Sequence, residues 1–458
     1  MEIARYRPHL TATLALGLPL IASHLARMAI GVGDTVMIGW YGVTPLAALV
    51  IATSVIHILM FLGMGFGIGL MGVIASDIAA GLETEVRRGT RMALWLSAGF
   101  GLLAMPLMWW AQPVLLALGQ TPEISSLAQD YLRIAGWGLA VLLWQVVLSS
   151  YLAAMERAQI VMWVTLIGLP ANLALNWILI FGNWGAPELG VRGAAIATLI
   201  VQVTQLLGLI AYAAWLPLAR KYHLFQRFWR LDWPAMMQVA RIGLPIGLTM
   251  LAEGGLFVAS NIMMGWIGTQ ELAAHGIALQ ITSITFMAHL GLSNAATVRV
   301  GQARGRGDGD WMRDAVVTVT ALSLIFAVVA ISIYLLFAQP MVRLFLDPTD
   351  PQTPLIVGLG AGLLMYAALF QLTDAMQVVA LGCLRGVQDT RVPMWIAAFS
   401  YWVVGMPVAY VLAFVVGMGP GGLWLGLCVG LSVAAVLLMR RFWAGLLRGD
   451  WTPPPATA

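Results

Sequence analysis

The sequence has very little charge. Of its 458 residues, 10% are Asp, Glu, Lys or Arg and 60% are hydrophobic, whereas charged residues make up about 25% of a soluble domain. A soluble chain of this composition would have too little polar surface to cover its core. The sequence also holds many apolar stretches of roughly 20 residues, the length that spans a bilayer core. We therefore predict a membrane protein that crosses the bilayer many times.

Cysteine and the usual catalytic motifs are also scarce. The two cysteines, Cys383 and Cys428, lie in apolar stretches, which excludes a disulfide framework and a cysteine-based metal site. The sequence contains no HExxH motif, nucleophile motif or phosphate-binding loop, so we expect neither an enzyme nor a cofactor. The net charge of +4 comes from cations in a few loops rather than from a basic domain, and we expect no nucleic-acid partner.

Hydropathy predicts twelve transmembrane helices. Their connecting loops alternate in charge: one set carries most arginines, and the other carries acidic residues such as Glu123, Asp130 and Glu188. By the positive-inside rule both termini are expected in the cytoplasm, and the bacterial inner membrane is the expected location. The predicted helices cover residues 12–40, 45–75, 92–118, 127–153, 160–182, 190–216, 240–268, 273–297, 315–337, 356–383, 393–416 and 420–442.

An internal repeat divides the chain into two similar halves. Residues 16–48 align without gaps onto 242–274, and thirteen of the 33 positions are identical, including LGLP against IGLP and MIGW against MMGW. Six helices in each half enter the membrane in the same direction, so the predicted pseudo-two-fold axis runs along the membrane normal, with substrate bound in a cleft between the halves. The predicted fold class is all-α, with two six-helix bundles.

The basic loop from Pro217 to Pro234 is the predicted joint between these halves. We predict an amino-terminal lobe over 1–217, a cytoplasmic linker over 218–235, a carboxy-terminal lobe over 236–445 and a disordered, proline-rich tail over 446–458. The chain is expected to act as a monomer in the lipid bilayer.

Three acidic residues fall deep inside apolar helices, namely Asp34, Glu253 and Asp374. A charge at the bilayer centre costs about 2.5–3.5 kcal/mol on insertion scales, so an ionisable residue there is a functional candidate by default. The alternative is a structural role, as a buried ion pair or a protonated, hydrogen-bonded acid. Arg27 is the candidate partner for Asp34, although seven residues of helix separate the two by about 10.5 Å.

The internal repeat shows which residues occupy the equivalent positions in the other half. Glu253 aligns with Arg27, and Ser260 aligns with Asp34, so the two halves fill equivalent polar positions differently. We interpret this divergence as a division of labour between ion coupling and substrate handling.

Several neutral polar residues accompany the acids. Asn172 and Asn176 are four residues apart on helix 5 and share one face; they are expected either to line the cavity that contains Asp34 or to hold helices together. Oxygen ligands suit a hard cation such as Na⁺. The candidate donors are Gln280, Thr282 and Ser283 on helix 8, with Gln371 and Thr373 beside Asp374.

Four motifs resemble one transporter family. GDTVMIGWYGVTPLAA at 33–48, NWILIFGNWGAPELGVRGAAIAT at 176–198, ELAAHGIALQI at 271–281 and LRGVQDTRVPMW at 384–395 are similar to segments of the multidrug and toxic compound extrusion (MATE) transporters, NorM branch. They occur in the same order and span both halves. The resemblance implies a V-shaped bundle of twelve helices that exports organic cations, such as drugs and dyes, in exchange for Na⁺ or H⁺.

The resemblance also implies roles for individual residues. It assigns Asp34, Asn172 and Asn176 to the substrate cavity, and we add Gln280 as a further cavity candidate from its place in an apolar helix. It assigns cation coupling to Glu253 and Asp374, with Asp34 contributing, and makes Glu253 and Asp374 the candidate Na⁺ ligands. Phe370 stands one turn before Asp374, where some members carry tyrosine, so the expected Na⁺ site lacks one hydroxyl.

A flippase for lipid-linked precursors is the alternative function on this architecture. It needs a cationic cavity for phosphate head groups, whereas the deep charges here are mostly acidic, with Arg27 the main exception. The sequence does not decide between Na⁺ and H⁺.

Overall fold

The structure, a computed structural model, describes residues 2–215 and 221–452. In these ranges, twelve helices are long and apolar enough to cross a membrane, as the sequence predicted. We number them α1 to α12: Glu2–Tyr41, Val43–Ala79, Glu83–Trp109, Pro122–Ala154, Ala158–Phe181, Val191–Trp215, Trp233–Ile267, Thr269–Arg306, Gly309–Arg343, Thr353–Gly386, Arg391–Val415 and Gly419–Arg448.

Several helices extend beyond the predicted apolar stretch. The prediction placed helix 3 at 92–118, but α3 begins at Glu83 and ends at Trp109, and a separate short helix follows over Ala111–Ala117. The first turn of α3 carries Glu83 and Glu85, whose negative charges are favourable next to the positive end of the helix dipole. The arginines at 87, 88 and 91 are therefore helical, and the assignment of this segment to a loop was wrong.

The α11 helix is irregular. It starts as α-helix over Arg391–Ala398, then contains π-helical turns over Phe399–Gly405 and Val411–Val415. A π turn adds a residue to the helical repeat, so side chains beyond it face a different direction from that expected for a regular helix.

The described residues form two compact units. One contains residues 1–21 with 249–458, and the other contains residues 22–248. These limits do not coincide with the lobe boundaries predicted at 217 and 236, because each unit includes the first part of a long helix whose remainder belongs to the other unit. Residues 217–220 of the predicted joint and 453–458 of the predicted tail lie outside the described residues.

The internal repeat is visible in how each unit packs. In both helices that change unit, a proline stands shortly before the change: Pro19 in α1 and Pro245 in α7. Within one unit, Gly65 of α2 packs directly on the backbone of Gly243 and Gly247 in α7.

The other unit repeats this arrangement 226 residues further on. There Gly291 of α8 packs on the backbone of Ile21 in α1, and the offset from Gly65 to Gly291 is the offset of the sequence repeat. The absence of a Cβ lets the two backbones approach closely, as small residues do at helix interfaces in membranes.

Gly291→Ala tests this contact. The added Cβ would meet the backbone nitrogen and Cα of Ile21, so we expect a cost of about 1–3 kcal/mol, seen as a lower midpoint of thermal unfolding in detergent. Gly276→Ala on the same helix is the control, since its Cβ meets nothing within 4 Å and alanine favours a helix by roughly 0.5–1 kcal/mol. Equal midpoints for the two variants would contradict the close approach.

Candidate functional site

The first polar cluster centres on Asp34 of α1. Asn176 of α5 donates a hydrogen bond from Nδ2 to its Oδ1 (2.6 Å), and Thr198 of α6 donates from Oγ1 to its Oδ2 (2.9 Å). Asn172 completes the cluster, because its Oδ1 accepts from Asn176 (3.2 Å) and its Nδ2 donates to Thr198 (3.3 Å). Three helices thus position four mutually bonded side chains, and both carboxylate oxygens have a donor.

Asp34 and both asparagines of this cluster are buried, so their hydrogen bonds matter for stability. Asp34 is 7% exposed, and Asn172 and Asn176 are fully buried. A buried carboxylate is stable only where hydrogen bonds replace its hydration. The i,i+4 spacing of the asparagines does bring both to the face that meets Asp34, as predicted, although Thr198 was not among the candidates.

Arg27 does not pair with Asp34. Among the described residues, the two form no ion pair, and the charge of Arg27 acts on His24 instead. Of the structural alternatives for Asp34, the ion pair is therefore wrong, while a hydrogen-bonded acid fits the geometry. The two turns of helix between the residues explain the outcome.

The equivalent position in the second half, Ser260, is part of an uncharged chain of hydrogen bonds. Trp424 donates from Nε1 to Nδ1 of His275 (3.0 Å), and the His275 Nε2 lies 3.3 Å from the Ser260 hydroxyl. Indole is a donor only, so Nδ1 accepts and Nε2 carries the proton. Ser260 Oγ in turn donates to the carbonyl oxygen of Phe257 (2.8 Å). The Ser260 hydroxyl therefore has hydrogen-bond partners other than a carboxylate.

The second cluster brings Glu253 of α7 and Asp374 of α10 together. The two carboxylates lie within electrostatic reach of each other, although they are 121 positions apart in the sequence. Asp374 is 1% exposed and Glu253 is half-buried. Gln377 lies beside Glu253 and donates from Nε2 to the Tyr401 hydroxyl (2.5 Å). The cluster therefore holds two neighbouring carboxylates, an amide and a phenol.

Two acceptor oxygens of this cluster have no donor. Within the described residues, Asp374 Oδ2 and Gln377 Oε1 are buried and lack a hydrogen-bond partner. Buried polar atoms are nearly always paired, and an exception needs an explanation. A proton on a carboxylate, or a hard cation with oxygen ligands, would satisfy them.

A positive charge also reaches this cluster. Arg385 was assigned to a cytoplasmic loop from its sequence position, but it lies on the last turn of α10, is 7% exposed and interacts electrostatically with Glu253. No cation is near Glu253 in the sequence, and contact between helices brings Arg385 close to it. With both acids ionised, the three charged groups carry one net negative charge.

Three of the other predicted oxygen donors are hydrogen-bonded within their own helices. The hydroxyls of Thr282 and Ser283 donate to carbonyls of their own helix, as does Thr373 to Phe370. Gln280 is half-buried on α8, and the structure gives it no hydrogen bond to either cluster.

A polar chain near Asp374 joins Gln371, a predicted oxygen donor, to two residues that the sequence did not single out, Thr285 and Tyr334. Thr285 donates to Gln371 Oε1 (3.0 Å) and bonds with the Tyr334 hydroxyl (2.7 Å), and Tyr334 lies within electrostatic reach of Asp374. Phe370 packs edge-on against Phe257 and Trp424, so an aromatic cluster occupies the position where some relatives were expected to carry a hydroxyl.

Twelve apolar helices in two repeated halves, each with a deep carboxylate cluster, define a polytopic membrane transport protein. The family model MatE matches residues 19–178 and 245–411, and the chain belongs to this family.

Two relatives agree with this assignment, and a solved structure agrees with the fold. The chain is 42% identical over 97% of its length, and 95% of the relative's, to "Probable multidrug resistance protein NorM" of Rhizobium meliloti. It is 41% identical over 95% of its length, and 93% of the relative's, to the protein of the same name in Agrobacterium fabrum. A structure titled as the outward-facing conformation of a multidrug resistance MATE family transporter matches 96% of this chain and 97% of its own, with a TM-score of 0.88 at 21% identity, which supports the fold.

Thr198→Val tests the first cluster. The isosteric change removes the donor to Asp34 Oδ2 and leaves a buried oxygen unpaired, so we expect a loss of about 1–3 kcal/mol, measured as a lower unfolding midpoint. Thr204→Val on the same helix is the matched control, because Thr204 is exposed and its hydroxyl bonds only to its own helix at Ile200. A loss at Thr204 as large as that at Thr198 would contradict the assigned role.

Proposed function

We propose that this multidrug efflux transporter exports organic cations in exchange for inward Na⁺ or H⁺ by alternating access. The family and the named NorM relatives support drug efflux. The observation that carries the proposed ion coupling is the pair of carboxylates, Glu253 and Asp374, beside buried acceptor oxygens that have no donor. We further propose the bacterial inner membrane as the location, with both termini in the cytoplasm, from the loop charges.

The charges of the second cluster suit a single monovalent cation. Two ionised acids with Arg385 nearby leave one negative charge, which one Na⁺ or one H⁺ neutralises. Either species also supplies what the unpaired oxygens lack, since Na⁺ accepts oxygen ligands and a bound proton donates a hydrogen bond. Binding of one such cation therefore leaves no uncompensated buried charge in the cluster, whereas the empty cluster keeps one negative charge.

Export of a cationic drug follows from competition for these negative charges. In the proposed cycle the drug is attracted while the carboxylates are ionised and unoccupied, and an inward-moving cation then neutralises them and releases it. A gradient drives this cycle only if the cation affinity differs between the two conformations. Asp34, with two hydrogen bonds from neutral donors, is the proposed negative group on the drug side.

The acidic clusters do not favour the flippase alternative. Phosphate head groups would need cationic groups facing them, but Asp34, Glu253 and Asp374 outnumber the single guanidinium of Arg385 in the two clusters.

Glu253→Gln and Asp374→Asn test the proposal. Each removes the charge that binds the cation and keeps the side-chain shape, so we expect drug-stimulated ion flux and gradient-driven dye efflux to fall to background in membrane vesicles. Glu123→Gln, at an exposed position at the start of α4, removes one acid elsewhere and should transport normally. Coupled flux retained in both cluster variants would overturn the proposal.

A further inference from the structure

A cavity of about 410 Å³ lies between the first turns of α3 and the loop that precedes α7. Both segments belong to the unit of residues 22–248. Five arginines line the cavity together with a single acid, Asp232: Arg87, Arg88, Arg91, Arg227 and Arg230. The transport cycle described above uses none of them.

The acids nearby neutralise only one of these arginines. Arg88 bonds to Asp232 (2.7 Å) and to Glu85 (2.6 Å), and the hydrogen bond from Arg88 holds the pKa of Asp232 below its ordinary value. In the part of the chain that the structure describes, the other four arginines form no ion pair. The cavity is therefore strongly positive.

Arg91 is built into the wall. It is 6% exposed, its Nη1 donates to the carbonyl oxygen of Arg227 (3.1 Å), and its Nε is buried without a partner among the described residues. A buried guanidinium with an unsatisfied N–H is costly unless an anion completes it.

The loop is held against α3 in spite of the like charges. Phe228 stacks on Trp95 (5.5 Å between ring centres), and Trp95 Nε1 donates to the Phe228 carbonyl oxygen (2.9 Å). Arg227 has φ 53°, in the left-handed region that residues other than glycine rarely adopt. The fold thus fixes the arginines of the loop opposite those of the helix.

Topology alone does not explain this convergence. The positive-inside rule places arginines on one side of the membrane, but repulsion would spread exposed charges apart. We infer that the cavity binds a phosphate group, because guanidinium forks match phosphate oxygens in geometry and charge. The phosphate would come from an acidic phospholipid head group, which basic pockets of membrane proteins bind, or from free phosphate.

The test uses the full chain purified in detergent. Intact-protein mass spectrometry counts the phosphatidylglycerol retained against phosphatidylcholine, and thermal unfolding is followed with inorganic phosphate against chloride at equal ionic strength. The variant is R87Q/R230Q, which changes two incompletely buried positions. The control is R157Q/R391Q, which removes two exposed arginines outside the cavity. If the glutamine variant does not fold, R87K/R230K takes its place, because lysine keeps the charge and removes the guanidinium forks.

If a lipid is the source, the wild type should retain phosphatidylglycerol in preference to phosphatidylcholine. That retention should fall roughly tenfold in R87Q/R230Q and stay unchanged in the control. Stabilisation by phosphate that the same variant loses, without a lipid preference, supports the inference with free phosphate as the source. The inference is overturned if wild type shows neither effect, or if the control loses as much as the variant.

Discussion

A polar group on a membrane-spanning helix must find its partners inside the protein, because lipid offers none. This constraint separates the two carboxylate clusters. Both carboxylate oxygens of Asp34 have a donor, from Asn176 and Thr198, although Asn176 Oδ1 beside them has no partner among the described residues. In the cluster of Glu253 and Asp374, by contrast, a carboxylate oxygen itself, Asp374 Oδ2, has no described donor. An incomplete set of partners is costly in a structural site and is useful in a site that takes up and releases an ion.

The repeat extends this contrast to the whole chain. Backbone contacts at Gly65 and Gly291 recur at the repeat interval, so the two halves share the same helix packing at these positions. The polar positions differ: the first half places a carboxylate at position 34, whereas the second half fills the equivalent position with the neutral chain of Ser260, His275 and Trp424. The second half instead gathers two acids, Glu253 and Asp374, near the guanidinium of Arg385.

The sequence predicted the features that depend on one helix at a time. Helix number follows from the length of apolar stretches, the three deep acids follow from their isolation in those stretches, and the shared face of Asn172 and Asn176 follows from helical spacing. Each of these is a local property, which is why the first cluster was nearly complete before the structure was known, with Thr198 missing.

Several features that depend on contact between helices were not predicted. Arg385 looked like a loop residue because it follows the apolar stretch, yet α10 continues through it and Glu253 comes from another helix. Tyr401 lies in a π-helical turn of α11, where the regular period that sequence analysis assumes no longer gives the direction of a side chain. The arginine cavity likewise required a loop with a left-handed residue at Arg227.

In the proposed cycle, a coupling cation and a cationic drug compete through the buried carboxylates. The most direct test measures the binding of a fluorescent organic cation to the purified protein while Na⁺ concentration and pH are varied separately. Competition predicts that the apparent dissociation constant of the dye rises linearly with the concentration of Na⁺ or H⁺, whichever is the coupling ion, and that dye reciprocally weakens binding of that cation. A dye affinity independent of both ions would contradict the account.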